Sequence, residues 1–202
     1  MDCDEGDEPF ELTKRFIDLT PGAYPAFSLL TAYGRAAPLN LELQEAGRVL
    51  PFPFHLLDGN HAMNVRPKNY EWDAFYARAV DVTRYALSWP RVYRRFRANR
   101  GLAAKSLSVV RAGSSKRVEF QATVRDLLTT DASMRRFYDG ESRQLPTFYR
   151  DKLRRSLGAL WEILPSGALM HDQNAYLKSN TIAKLLKRPT SPPPQPMLAA
   201  VS

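Results

Sequence analysis

His55, Asp58 and His61 stand at every third position within one stretch, Pro51 to Tyr70. Two imidazoles and a carboxylate at that range are chemistry-bearing groups that could hold a divalent metal. A loop site of that kind usually needs a further ligand. The chain offers only His171 and scattered carboxylates, so no metal is expected and satisfied polar loop residues are the preferred reading. Asn60, Asn64, Arg66, Lys68 and Asn69 gather donors in the same stretch, which could hold a carboxylate, a phosphate or a nucleotide sugar. The competing reading is that they satisfy the loop's own backbone groups.

Elements must position these groups. The stretch itself shows neither helical nor strand periodicity, and Phe52, Phe54, Leu56, Leu57, Met63 and Val65 call for burial. An ordered, aromatic-anchored loop of that length is expected to line a site. Before it, Pro9 to Leu19 reads as a helix with Phe10, Phe16 and Ile17 on one face. Pro25 to Thr31 reads as a short buried strand, and Pro38 to Glu45 as a helix closed by Gly47. That rhythm is one of βα units. After the loop, helices are expected over Tyr70 to Leu87, broken at Trp89–Pro90, then over Arg91 to about Ala98 and Gly101 to Val110. Lys116 to Leu128 reads as helix or strand, with Val118, Phe120, Ala122 and Val124 alternating and Val124, Leu127 and Leu128 favouring helix; further helices follow over Ala132 to Tyr138 with Asp131 as N-cap, and Leu145 to Leu164. A short helix over Asn180 to Leu186 is a further expectation. Pro189 to Pro196 reads as a disordered or polyproline tail.

The chain has 202 residues, an apolar fraction of 44% and a net charge of +8. No apolar run is long enough for a membrane helix, and the acidic start Asp2-Cys3-Asp4-Glu5 differs from a signal peptide, so the cytoplasm is the expected location. The single cysteine, Cys3, allows no intrachain disulfide and no multi-cysteine zinc site. Charge is uneven: the chain to Asp58 is acidic by about six charges, and Arg91 to Arg155 is basic by about eleven. Arg94, Arg95, Arg97, Arg100, Arg135, Arg136, Arg154 and Arg155 fall on helices with aromatic neighbours, a pattern that can serve nucleic acid. The aromatics are read as packing a core, which argues against that use.

No phosphate-binding glycine loop, no Gly-x-Ser-x-Gly elbow and no His-Glu-x-x-His occurs. The order of Asp2-Cys3-Asp4, a helix, Phe27-Ser-Leu-Leu-Thr-Ala-Tyr-Gly-Arg-Ala-Ala-Pro-Leu and Glu45-Ala-Gly-Arg-Val-Leu nevertheless resembles the end of the catalytic barrel in radical S-adenosylmethionine enzymes. The likeness is to those with a cobalamin-binding domain. The loop from His55 to Tyr70 resembles the segment after the barrel in one subgroup. The resemblance implies an α/β fragment, the last βα units of a partial TIM-type barrel at 1–50. A connecting loop at 51–70, a helical extension at 71–171 and a tail at 172–202 would follow, mostly α overall.

In such a parent, S-adenosylmethionine would be cleaved at a [4Fe–4S] cluster for radical chemistry, with methyl transfer as one expectation and cobalamin as a further cofactor. By position the resemblance puts Asp2, Asp4 and Thr31 on the cofactor side of the mouth and His61, Asn64 and Arg66 on the substrate side. The cluster needs a Cys-x-x-x-Cys-x-x-Cys loop, and this chain has none. It is therefore expected to be inactive alone and to partner a missing N-terminal barrel and cobalamin-type domain, Met1 being an internal methionine of the parent. The alternative is a small basic helical module that binds an acidic partner or nucleic acid.

Overall fold

The computed structural model describes residues 6–32, 37–57, 62–112 and 116–158. Eight α-helices occur among them: α1 (Glu8–Leu19), α2 (Pro38–Glu45), α3 (Trp72–Leu87), α4 (Trp89–Ala98), α5 (Leu102–Ala112), α6 (Lys116–Thr130), α7 (Ala132–Tyr138) and α8 (Thr147–Leu157). A 3₁₀ turn at Phe54–Leu56 interrupts the long loop. No helix among the described residues is long and apolar enough to cross a membrane. The Asn180 to Leu186 helix, the proline-rich tail and the end of the Leu145 to Leu164 helix lie outside the described residues.

The α/β expectation is overturned. No strand occurs among the described residues, and βα units of a TIM-type barrel are not there. Residues 25–32 form neither helix nor strand, and no ladder pairs with them among the described residues. The β-pairing described is one isolated antiparallel bridge, Val49 to Val65. A short apolar run between turn residues meets the local requirements of a buried strand, yet a strand is completed only by partners for its backbone groups. Here the run is irregular, with Leu29 and Ala32 buried in a helical core.

Local signals explain most helix ends. Pro9 and Pro38 sit in the first turns of α1 and α2, where a missing N–H costs nothing. Gly47 takes φ +67°, and the Arg48 amide donates to the Leu43 carbonyl, closing α2 with a left-handed glycine. The Asp131 carboxylate accepts from the amides of Ser133 and Met134, capping α7. Gly140, at φ +78°, turns the chain after α7. Trp89–Pro90, expected as a break, instead forms the first turn of α4, with Ser88 as the non-helical hinge.

One core runs from Phe10 to Leu153. α3 lies across α6 and also meets α1 and α4, while α5 folds back on α4. The buried side of α1 is Phe10 and Ile17, and Phe16, expected on that face, is 62% exposed. Ion pairs tie α1 down instead: Lys14 to Asp81 at 2.7 Å, Asp7 to Arg78 at 2.6 Å, and Asp18 to Arg91 at 3.0 Å. Asp18 also accepts from the Tyr85 hydroxyl at 2.6 Å.

Hydrogen bonds from Arg91, then from Tyr85, hold the Asp18 carboxyl below its ordinary value. A carboxylate depressed on folding stabilises fully above its unfolded pKa, near 3.9, and that contribution is lost as pH falls through the lower folded value. Thermal melts from pH 7 to pH 2 should therefore lose stability at the acid end. Asp18→Asn should flatten that loss and cost up to about 1 kcal/mol at pH 7, since the pair is partly exposed. An acid limb of unchanged steepness in the variant would show that Asp18 does not anchor α1.

Candidate functional site

The long loop is bolted at both ends. Leu50 donates to the Asn64 carbonyl at 2.7 Å and Arg66 donates to the Arg48 carbonyl at 2.8 Å, on either side of the Val49–Val65 bridge. The Arg48 guanidinium then reaches the Arg66 carbonyl, at 3.0 Å from Nε and 2.7 Å from Nη2. Phe52, Leu56, Leu57, Ala62, Met63 and Val65 are buried, which satisfies the apolar demand read from the sequence.

Asn64 is fully buried and turned inward. Its Oδ1 accepts from the Ala32 amide at 2.9 Å and its Nδ2 donates to the Ala32 carbonyl at 2.7 Å. The side-chain amide thus replaces the strand neighbour that residues 25–32 lack. Arg66 donates from Nη2 to the Tyr138 carbonyl at 3.2 Å, so its side chain holds the end of α7. Asn64 has both ends of its amide committed inside the molecule, and Arg66 is half-buried. The backbone-satisfying reading of the loop's donors is the one these two follow.

Tyr138 is the meeting point. Its carbonyl also accepts from Trp72 Nε1 at 3.1 Å. Its hydroxyl is hydrogen-bonded to those of Tyr76, at 3.1 Å, and Tyr149, and the Met63 amide donates to the Tyr76 hydroxyl at 3.3 Å. Phe52 packs edge-on to Phe137, Tyr138 and Tyr149 with centroids 4.9, 5.7 and 5.0 Å away. Burial pushes all three phenols above their ordinary value, so they remain neutral hydrogen-bonding groups and supply no acid or base near neutral pH.

Asp2, Asp4, Asp58, Asn60, His61 and His171 lie outside the described residues. Thr31 is half-buried, one residue before the Asn64 contact, and His55 is on the surface, its imidazole lowered by desolvation. No group of three or more metal-capable side chains converges among the described residues. One cysteine cannot hold a [4Fe–4S] cluster, so the cluster does not fit this chain and no step is derived through it.

The structure instead exposes a surface that periodicity alone assigned to the core. On α4, Trp89 is 73% exposed, Tyr93 60% and Phe96 38%, while Val92 and Arg95 take the buried side. Spacings of four and three put the three rings on one stripe. Arg97 and Arg100 are exposed alongside, and Lys105 of α5 lies 5.0 Å from the centre of the Phe96 ring. Arg94 is turned to Asp18 at 3.3 Å. Leu102 and Val110 of α5 are also exposed. The readable signal was the stripe at 89, 93 and 96, hidden by treating Trp89–Pro90 as a helix break.

Asn64→Ala would strand a buried amide and a buried carbonyl at residue 32, for a cost of about 3 kcal/mol. Urea unfolding of the variant checks this, and amide exchange at residues 29–32 should accelerate selectively. A loss under about 0.5 kcal/mol would mean that water satisfies Ala32 instead.

Compared with known proteins, the chain matches no family model, no curated protein and no solved structure.

Proposed function

We propose that this chain is a helical binding module whose α4–α5 hairpin takes single-stranded nucleic acid. The observation that carries the reading is the exposed stripe Trp89, Tyr93 and Phe96 beside Arg97 and Arg100. Single-strand binders combine rings on which bases stack with cations that follow the backbone; here the rings and Arg97 stand on α4 and Arg100 two residues beyond its end. The ground for setting nucleic acid aside was that the aromatics pack a core, and on α4 they do not. The excess positive charge of Arg91 to Arg155 adds a favourable long-range field. A cytoplasmic location belongs to the same reading, in keeping with a chain that carries one cysteine.

Fluorescence anisotropy of a labelled oligothymidylate, titrated from about 50 to 200 mM salt, tests it. Binding should weaken steeply with salt. Arg97→Ala with Arg100→Ala should reduce the magnitude of the log–log salt slope by about 1.4, two phosphate contacts' worth. Tyr93→Ala should cost about 1–3 kcal/mol while leaving the slope unchanged. No binding at about 50 mM salt, or equal binding by all variants, sinks the proposal.

A second reading is that the chain is a piece of a radical S-adenosylmethionine protein. It draws on the motif order quoted above and on the Asn64–Ala32 hydrogen bonds, which join the two resembling segments. The βα units that resemblance implied are absent among the described residues, which counts against it. An in-frame Cys-x-x-x-Cys-x-x-Cys upstream of Met1, or in a neighbouring gene, would support it; sequencing that finds neither removes it.

A further inference from the structure

A cavity lies between the end of α3, the segment after α1 and the start of α6. Tyr24, Phe27, Thr83, Ala86, Leu87 and Arg117 are among its walls, and it encloses about 210 Å³. An apolar cavity of about 150 Å³ holds a benzene, so this one takes a single planar ring system. Tyr24 is 38% exposed, and Leu87 and Arg117 are half-buried, so the space is reached from solvent.

Two of the walls are braced from inside. Arg95 is buried and does not line the space. Its Nη2 donates to the Ala86 carbonyl at 2.7 Å, and its guanidinium stands over the Tyr24 ring, 5.8 Å from the centre. A cation over a ring face is held there by the ring quadrupole. Arg95 thus fixes one aromatic and one aliphatic wall.

The walls have the chemistry of a base site. The rings of Tyr24 and Phe27 offer faces for stacking, which every base accepts. Arg117 is donor-only, and five N–H groups let it serve a ligand alongside its partners within the chain. The Thr83 hydroxyl has its proton on the Ala79 carbonyl at 2.8 Å, so it is left to accept from a ring N–H. Guanine answers both: O6 and N7 are adjacent acceptors for a guanidinium, and its own N–H groups donate. Adenine sets an amino donor where guanine has O6, against a group with donors only. Leu87 also ties the cavity to the exposed stripe. Trp89, the first ring of that stripe, is two residues on, so the two Cα atoms are at most about 7.6 Å apart.

We propose that this cavity takes one guanine of the strand held on α4, its ring against Tyr24 and Leu87 and its O6 and N7 on the Arg117 guanidinium. The site rests on the single-strand reading and gives that surface a base preference.

Three labelled strands test it by anisotropy at about 50 mM salt. One is an oligothymidylate, and the others have one internal thymidine replaced by deoxyguanosine or by deoxyadenosine. The full chain should bind the guanine strand about tenfold more tightly than either control, a difference of about 1.4 kcal/mol. Arg117→Met should erase that difference while oligothymidylate still binds through the stripe. Leu87→Trp, made at the half-buried rim, should fill the space and erase it too, with the helical circular dichroism kept, which decides the matter should Arg117→Met fail to fold. A guanine strand that binds no better than either control overturns the base site and leaves the single-strand reading standing. A guanine preference that survives both substitutions overturns the site as well, and no binding by any strand removes site and reading together.

Discussion

Everything central to this fold passes through Tyr138. Its carbonyl takes hydrogen bonds from the Trp72 indole and the Arg66 guanidinium, and its hydroxyl joins those of Tyr76 and Tyr149. Four parts of the chain are thereby fixed to one residue: the long loop through Arg66 and Phe52, α3 through Trp72 and Tyr76, α7 itself, and α8 through Tyr149. A buried hydroxyl must find partners or lose about 1–3 kcal/mol, and a chain of three hydroxyls ending on the Met63 amide satisfies all of them without a charged group. The network is directional where the surrounding ring contacts are not. It therefore selects one packing of Phe52 against Phe137 and Tyr149 from the many that apolar burial would allow.

The same economy of partners governs the loop and the segment 25–32. These residues carry irregular backbone into a helical core, where unpaired amides and carbonyls are expensive. One side chain, Asn64, answers both groups of Ala32. A side-chain amide can imitate one rung of a ladder but not a run of them, which is why the segment stays short and why no sheet grows on it.

Where the molecule leaves groups unanswered, it is informative in a different way. Trp89, Tyr93 and Phe96 present an apolar stripe to solvent while Arg95, on the opposite side of the same helix, is inside. An ordinary amphipathic helix would have these exchanged. The inversion gives α4 two unusual faces: aromatic and cationic outward, and a nearly unpaired cation inward. The outward face is a place where a ligand could lower the free energy more than it would on a well-satisfied surface.

Residue order alone determined the helices, because their signals are local. Pro38 and Gly47 bracket α2, Asp131 caps α7, and the spacing of Trp72, Phe75, Tyr76, Ala79 and Val80 marks the buried side of α3. It also showed that the Pro51 to Tyr70 loop must be ordered, since its apolar residues have to be buried. Tertiary structure alone decided three things. It left Pro25 to Thr31 without strand partners, because pairing depends on neighbours distant in sequence. It turned Asn64 and Arg66 from candidate ligand-binding groups into supports, because their acceptors are 32 and 72 residues away. And it chose which side of α4 faces in, where Val92 and Arg95 are buried, Arg91 is held by Asp18 and Arg95 by the Ala86 carbonyl, because those partners are distant from the helix's own local signals.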